Sequence, residues 1–201
     1  MTLDQFRPWA ERALAPFVRV SKALGLTPNA VSVTAFLLAI AAGVAFYLGR
    51  SNPLWWPAAS LLVFANGWLD LVDGALAREL DIASEGGDML DHVLDRYADI
   101  AVIAGVAAGA DAYALGLLAV TGVLMTSYLG TQIQAVGLGR QYGGLLGRAD
   151  RLALVGVAGV VVYVAPEIAG FGVLTLLLAL FAVVGHLTAL QRFWGAWRDL
   201  E

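Results

Sequence analysis

From Ala30 to Gly49 the chain reads AVSVTAFLLAIAAGVAFYLG, without a single charge. At the helical rise this run makes about 30 Å, the thickness of a bilayer's hydrocarbon core. Comparable apolar runs follow at 54–77, 88–109, 113–135, 151–169 and 171–191, so with 30–49 they predict six transmembrane helices and an all-α membrane protein. The breaks fall at Arg50 to Pro53, Arg78 to Gly87, Ala110 to Ala112, Val136 to Asp150, and at Pro166, Glu167 and Gly170. These are short polar or Gly/Pro segments, the punctuation that ends helices.

The composition agrees. Of 201 residues, 60% are hydrophobic and 14% charged, against about a quarter charged in a soluble domain. Six spans use nearly the whole length, so 1–201 reads as one membrane domain with no separate soluble module. There is no cysteine, which excludes disulfides and thiolate metal sites, and the two histidines, His92 and His186, leave little for an imidazole-ligated metal. Any metal must rest on oxygen. The net charge of −4 names no partner, and no nucleic-acid partner is expected.

Residues 1–29 lack the short apolar core and small-residue cleavage site of a secretory leader. They read instead as a juxtamembrane amphipathic helix, with Phe6, Trp9, Leu14 and Phe17 offered to lipid and Arg7, Arg12 and Arg19 to headgroups. A solvated extension is the alternative. Arg7, Arg12, Arg19 and Lys22 precede the first span, Arg78 follows the second, Arg140, Arg148 and Arg151 flank the fourth loop, and Arg192 and Arg198 lie after the sixth. With six spans all of these fall on one side and Arg50 alone on the other. Basic residues are retained inside, so both termini are predicted to be cytoplasmic in a cell-membrane protein.

Four carboxylates in this setting need explaining. Asp70 and Asp73 are spaced i, i+3 and Asp91 and Asp95 i, i+4, so each pair projects from one helix face. An isolated carboxylate in a membrane helix costs at least a few kcal/mol. Four together repel unless one protonates or cations neutralise them. An all-oxygen set favours Mg²⁺ or Mn²⁺, and two such ions suit a displacement at phosphorus. Gly74 and Ala77 are small enough for a substrate to approach, Arg78 offers a planar cation for phosphate, and Gly87 opens space one turn before Asp91. An ion or proton pathway, or an ion pair with Arg96, is the competing use of the same acids.

The spacing resembles a known pattern. Asp70-Leu-Val-Asp73-Gly74-Ala-Leu-Ala77-Arg78, eight further residues, then Gly87-Asp-Met-Leu-Asp91-His-Val-Leu-Asp95 is similar at every specified position to the signature of the CDP-alcohol phosphotransferases. Thr27-Pro28-Asn29-Ala-Val-Ser32 resembles that family's opening of its first membrane helix, close to the bound cytidine nucleotide. The resemblance implies transfer of a substituted phosphoryl group, phosphatidyl or archaetidyl, from a CDP-linked lipid to an alcohol, with release of CMP. It implies that Asp70, Asp73, Asp91 and Asp95 hold metal, with Asp95 also the general base. Asn29, Asp73, Gly74, Ala77, Arg78 and Gly87 would serve the nucleotide. A homodimer is implied as well.

The acceptor is less defined. Asp95-Arg96-Tyr-Ala-Asp99 is similar to the inositol-phosphate-using branch, and Ser127 and Tyr128 match it too, but Gly130 and Gln132 stand where that branch carries cations. Arg148 and Arg151, spaced i, i+3, match a later arginine pair, with Arg140 nearby. These three are the expected ligands of a small phosphorylated polyol, inositol phosphate or glycerol phosphate; the alternative for them is anchoring to anionic lipid. Asp88, His92 and Asp99 are expected around the site rather than in it, and His186 as an interhelical hydrogen-bonding residue.

Overall fold

The computed structural model describes residues 7–139 and 146–201, the first six of them by backbone alone. Helix α1 spans Arg7–Ala23, α2 Pro28–Leu48, α3 Trp55–Glu79, α4 Glu85–Ala110, α5 Tyr113–Ala135, α6 Arg148–Val164 and α7 Val173–Leu200. Two starts follow from side-chain chemistry. Thr27 caps α2 by accepting from the Ala30 amide at 3.2 Å, with Pro28 pre-set at the first position. Ser84 caps α4 by accepting from the Gly87 amide at 3.1 Å, and Glu85 and Asp88 complement the positive helix end.

Helices α2, α3, α5 and α7 are long and apolar enough to cross a membrane. Helix α4 carries Asp88, Asp91, Asp95, Arg96 and Asp99, and α6 has 17 residues, which make about 25 Å. Lipid is as apolar as these helices' side chains, so association rests on close packing and hydrogen bonds. Gly43 of α2 meets α4 at Ala101 and Gly105, and Gly122 of α5 meets Gly185 of α7, so closely that an added Cβ would lie under 3.0 Å from backbone atoms at Gly43, Gly105 and Gly185 and 3.1 Å from the His186 amide at Gly122. Thr126 Oγ1 donates to the Gly185 carbonyl at 2.8 Å across the second contact, and His186 Nε2 sits 3.2 Å from the Leu118 carbonyl oxygen. Helix α6 lies along α3, its Gly159 fitting against Ser60 and the Trp56 carbonyl.

Three expectations need correction. Leu14 does not face lipid: with Val18 it is buried against Val31, Val72 and Leu76, so α1 is part of the fold. Phe17 is half exposed and meets Trp68 edge-on at 5.2 Å; Arg7, Trp9 and Arg12 are described by backbone alone, and Phe6 lies outside the described residues. The fifth helix, expected to reach 169, ends at Val164, because Glu167–Ile168 and Phe171–Gly172 form a two-stranded hairpin. Its turn places Ala169 at φ 54° and Gly170 at φ 80°, the two positive values of a type I′ turn. The last helix runs past 191 to Leu200, because helical hydrogen bonding continues where apolar patterning stops.

Candidate active site

Helices α3 and α4 are joined by a short connection and both pack on α2, so Asp70, nine residues before the end of α3, and Asp95, ten after the start of α4, reach similar depth. Asp70, Asp91 and Asp95 each place a carboxylate oxygen within 4.8 Å of the others. Asp73 is not one of these three. Ser32 Oγ of α2 donates to its Oδ2 at 2.6 Å, in a buried contact.

The start of α6 closes the cluster. Arg148 directs Nη1 to Asp70 and places Nη2 2.8 Å from Asp95 Oδ1, one guanidinium joining two helices. Arg96 Nη2 lies 3.5 Å from Asp95 Oδ2. One turn deeper, buried Asp99 accepts from Arg151 Nη2 at 3.1 Å. Arg148 and Arg151 therefore point inward, toward carboxylates, rather than outward as a free pair. Arg140 lies outside the described residues.

A cavity of about 450 Å³ adjoins the cluster. Its walls are the Thr27–Ser32 opening of α2, Asp73, Gly74, Ala77 and Arg78 of α3, the connection through Ile82 and Ser84, and Gly87, Asp88 and Asp91 of α4. Each expected nucleotide residue, Asn29, Asp73, Gly74, Ala77, Arg78 and Gly87, lines this one space. Gly87 keeps it open: a Cβ there would come 3.3 Å from Ser84 Oγ and 3.5 Å from Asn29 Oδ1. The volume suits a nucleotide-sized ligand.

The chain matches the CDP-alcohol phosphatidyltransferase family over residues 25–190, which include every signature position. The chain belongs to this family. Its expected standing as a phospholipid-biosynthetic transferase in a membrane is thereby met, and the ion-pathway alternative gains no support. The family member is 28% identical to archaetidylinositol phosphate synthase of Pyrococcus horikoshii over 99% of this chain and 98% of that protein. It is similar to Mycobacterium tuberculosis phosphatidylinositol phosphate synthase with CDP-DAG bound, at a TM-score of 0.77 and 28% identity over 92% of this chain and 94% of the other. The structure of the same mycobacterial protein with manganese and citrate gives a TM-score of 0.79 and 26% identity, over 92% and 88%.

Two contributors escaped the sequence. Ser32, the partner of Asp73, was visible only as part of the helix opening, since nothing local ties it to a residue on α3. Arg192, read as a basic residue beyond the last span, turns inward on α7 and donates to the Thr126 carbonyl on α5. Its inward direction depends on how α7 packs.

Proposed function

We propose that the protein transfers a phosphatidyl or archaetidyl group from a CDP-linked lipid to a hydroxyl of a polyol phosphate, with inositol phosphate ahead of glycerol phosphate, and releases CMP. One observation carries this: six of the eight signature residues line a nucleotide-sized cavity, and the other two, Asp70 and Asp95, join its Asp91 in a three-carboxylate cluster. The acceptor assignment draws support from the Pyrococcus and mycobacterial relatives and from the guanidiniums of Arg148 and Arg151, which border the cluster from the start of α6. A groove of about 310 Å³ between α3 and α6, walled by Val63, Phe64, Trp68, Leu71 and Leu152, ends at Asp70, Asp95 and Arg148. It would take lipid chains of the donor.

The donor set fits a hard divalent ion, Mg²⁺ or Mn²⁺, because three carboxylate oxygens converge within a coordination sphere's width and no softer ligand stands among them. Asp70, Asp91 and Asp95 would hold it, with Asp73 toward the nucleotide able to share a second ion. Bound there, metal would neutralise the pyrophosphate charge that otherwise repels an incoming oxygen. Arg78 would hold phosphate oxygens from the cavity wall. The acceptor oxygen forms a bond to the lipid-bearing phosphorus, the bond from that phosphorus to the bridging oxygen breaks, and CMP leaves with the electron pair. Asp95 takes the hydroxyl proton. Arg148 and Arg151 would orient the acceptor phosphate.

This reading carries six spans, α2 to α7, with α1 at the cytoplasmic interface, both termini and the site on the cytoplasmic side of the cell membrane, and a homodimer. The test is CMP release from a CDP-lipid in detergent, against glycerol phosphate, inositol phosphate, serine and free inositol. Turnover dependent on inositol phosphate is expected. Turnover with free inositol or serine alone would remove the phosphorylated acceptor, and no CMP release with any acceptor would remove the transferase assignment.

A further inference from the structure

Asn66 lies one turn before Asp70 on α3 and is 1% exposed, in the middle of a membrane bundle. Its Nδ2 donates to the Ala35 carbonyl of α2 at 2.8 Å. That bond settles the amide's orientation, since the flipped amide would set two acceptor oxygens against each other. The opposite atom, Oδ1, is buried with no hydrogen-bond partner in the protein. Arg148 Nε is likewise buried and without a hydrogen-bond partner, even though both Nη atoms of that guanidinium are engaged. One orphan is an acceptor and the other a donor.

Both residues line the same small cavity of about 10 Å³, which Asp70, Asp91, Asp95 and Ser32 also line. This is the room of about one water molecule, and a buried water needs two to four polar partners. Leaving a buried polar atom unsatisfied costs about 1–3 kcal/mol. A single water resolves both orphans at once.

We infer that Asn66 is a positioning residue of the carboxylate centre, acting through one buried water that accepts from Arg148 Nε, donates to Asn66 Oδ1 and gives its second hydrogen to a carboxylate of the cluster. The water ties the stem of Arg148 to the wall of α3, so that Nη1 and Nη2 meet Asp70 and Asp95 together. Asn66 touches no substrate in this scheme. It sets where two proposed metal ligands stand, and to that extent the inference rests on the metal reading above. Outer partners of this kind change metal affinity by roughly 10- to 100-fold when removed.

Mn²⁺ is titrated into the detergent-purified full chain, with the free ion read by electron paramagnetic resonance. Asn66→Leu, similar in volume but without an acceptor, is expected to weaken Mn²⁺ binding about tenfold or more. Asn66→Ser, whose hydroxyl can again accept from water, is expected to recover a large part of that loss. Wild-type affinity in the leucine variant, or a serine variant no better than leucine, would overturn the inference. Should the leucine variant fail to fold, crystallographic density of the wild-type protein decides: a water within hydrogen-bond distance of both Asn66 Oδ1 and Arg148 Nε supports the bridge, and density without one overturns it. If wild-type protein binds no Mn²⁺, the metal reading fails, while the density still judges the water.

Discussion

Arg148 Nη2 stands 2.8 Å from Asp95 Oδ1 while Nη1 of the same guanidinium meets Asp70, so a residue expected at an open mouth is locked between two helices. The fork needs two donors in one plane, which an ammonium cannot offer. Arg148→Lys is expected to raise the acceptor KM about tenfold or more, the loss of one charge-assisted contact of about 1.5–3 kcal/mol, with the donor KM little changed. Steady-state kinetics with each substrate varied in turn checks this. Unaltered acceptor kinetics would leave Arg148 a purely structural cation.

Arg151 behaves differently because its partner is buried more deeply. Asp99 accepts from it at 3.1 Å, and Arg96 lies 3.7 Å from the same carboxylate oxygen. Arg151→Ala is expected to lower the thermal midpoint, by less than the roughly 3–5 kcal/mol of a wholly orphaned buried charge, since Arg96 stays. A midpoint equal to wild type would show that Arg96 and Arg148, 3.7 and 3.9 Å away, satisfy Asp99 without it.

Chelation tests the cluster of Asp70, Asp91 and Asp95 directly. Activity is expected to vanish in excess EDTA and return with Mg²⁺ or Mn²⁺, and Asp91→Asn is expected to lose both metal binding and turnover. Full activity in EDTA would sink the metal reading.

Asp95 has the position for proton removal, at the meeting point of α3, α4 and α6. Asp95→Asn is expected to retain CDP-lipid binding while turnover falls by about 10²-fold or more. Binding by calorimetry beside single-turnover kinetics separates the two, and near wild-type turnover would take the base role from Asp95.

Ala169 occupies left-handed backbone at φ 54° in the α6–α7 hairpin, a region that costs a side-chain-bearing residue about 1–2 kcal/mol. Ala169→Gly relieves this and gives back part as unfolded-state entropy, so a net gain of about 0.5–1 kcal/mol is expected. A lower thermal midpoint would contradict it.

The sequence by itself determined the membrane character, because uncharged runs of span length have one stable backbone solution in lipid. It also determined the signature, because carboxylates three and four apart on a helix share a face whatever the helix packs against. The caps at Thr27 and Ser84 are equally local, each set within three residues. Tertiary structure decided what depends on distance along the chain. That Asp73 pairs with Ser32 rather than joining the other three acids follows from how α2 lies on α3. The inward turn of Arg148 and Arg151 follows from α6 docking on α3, and the burial of Leu14 from α1 doing the same. The hairpin after Val164 was hidden for another reason: an alanine carries no local preference for positive φ, so only the surrounding packing could place Ala169 there.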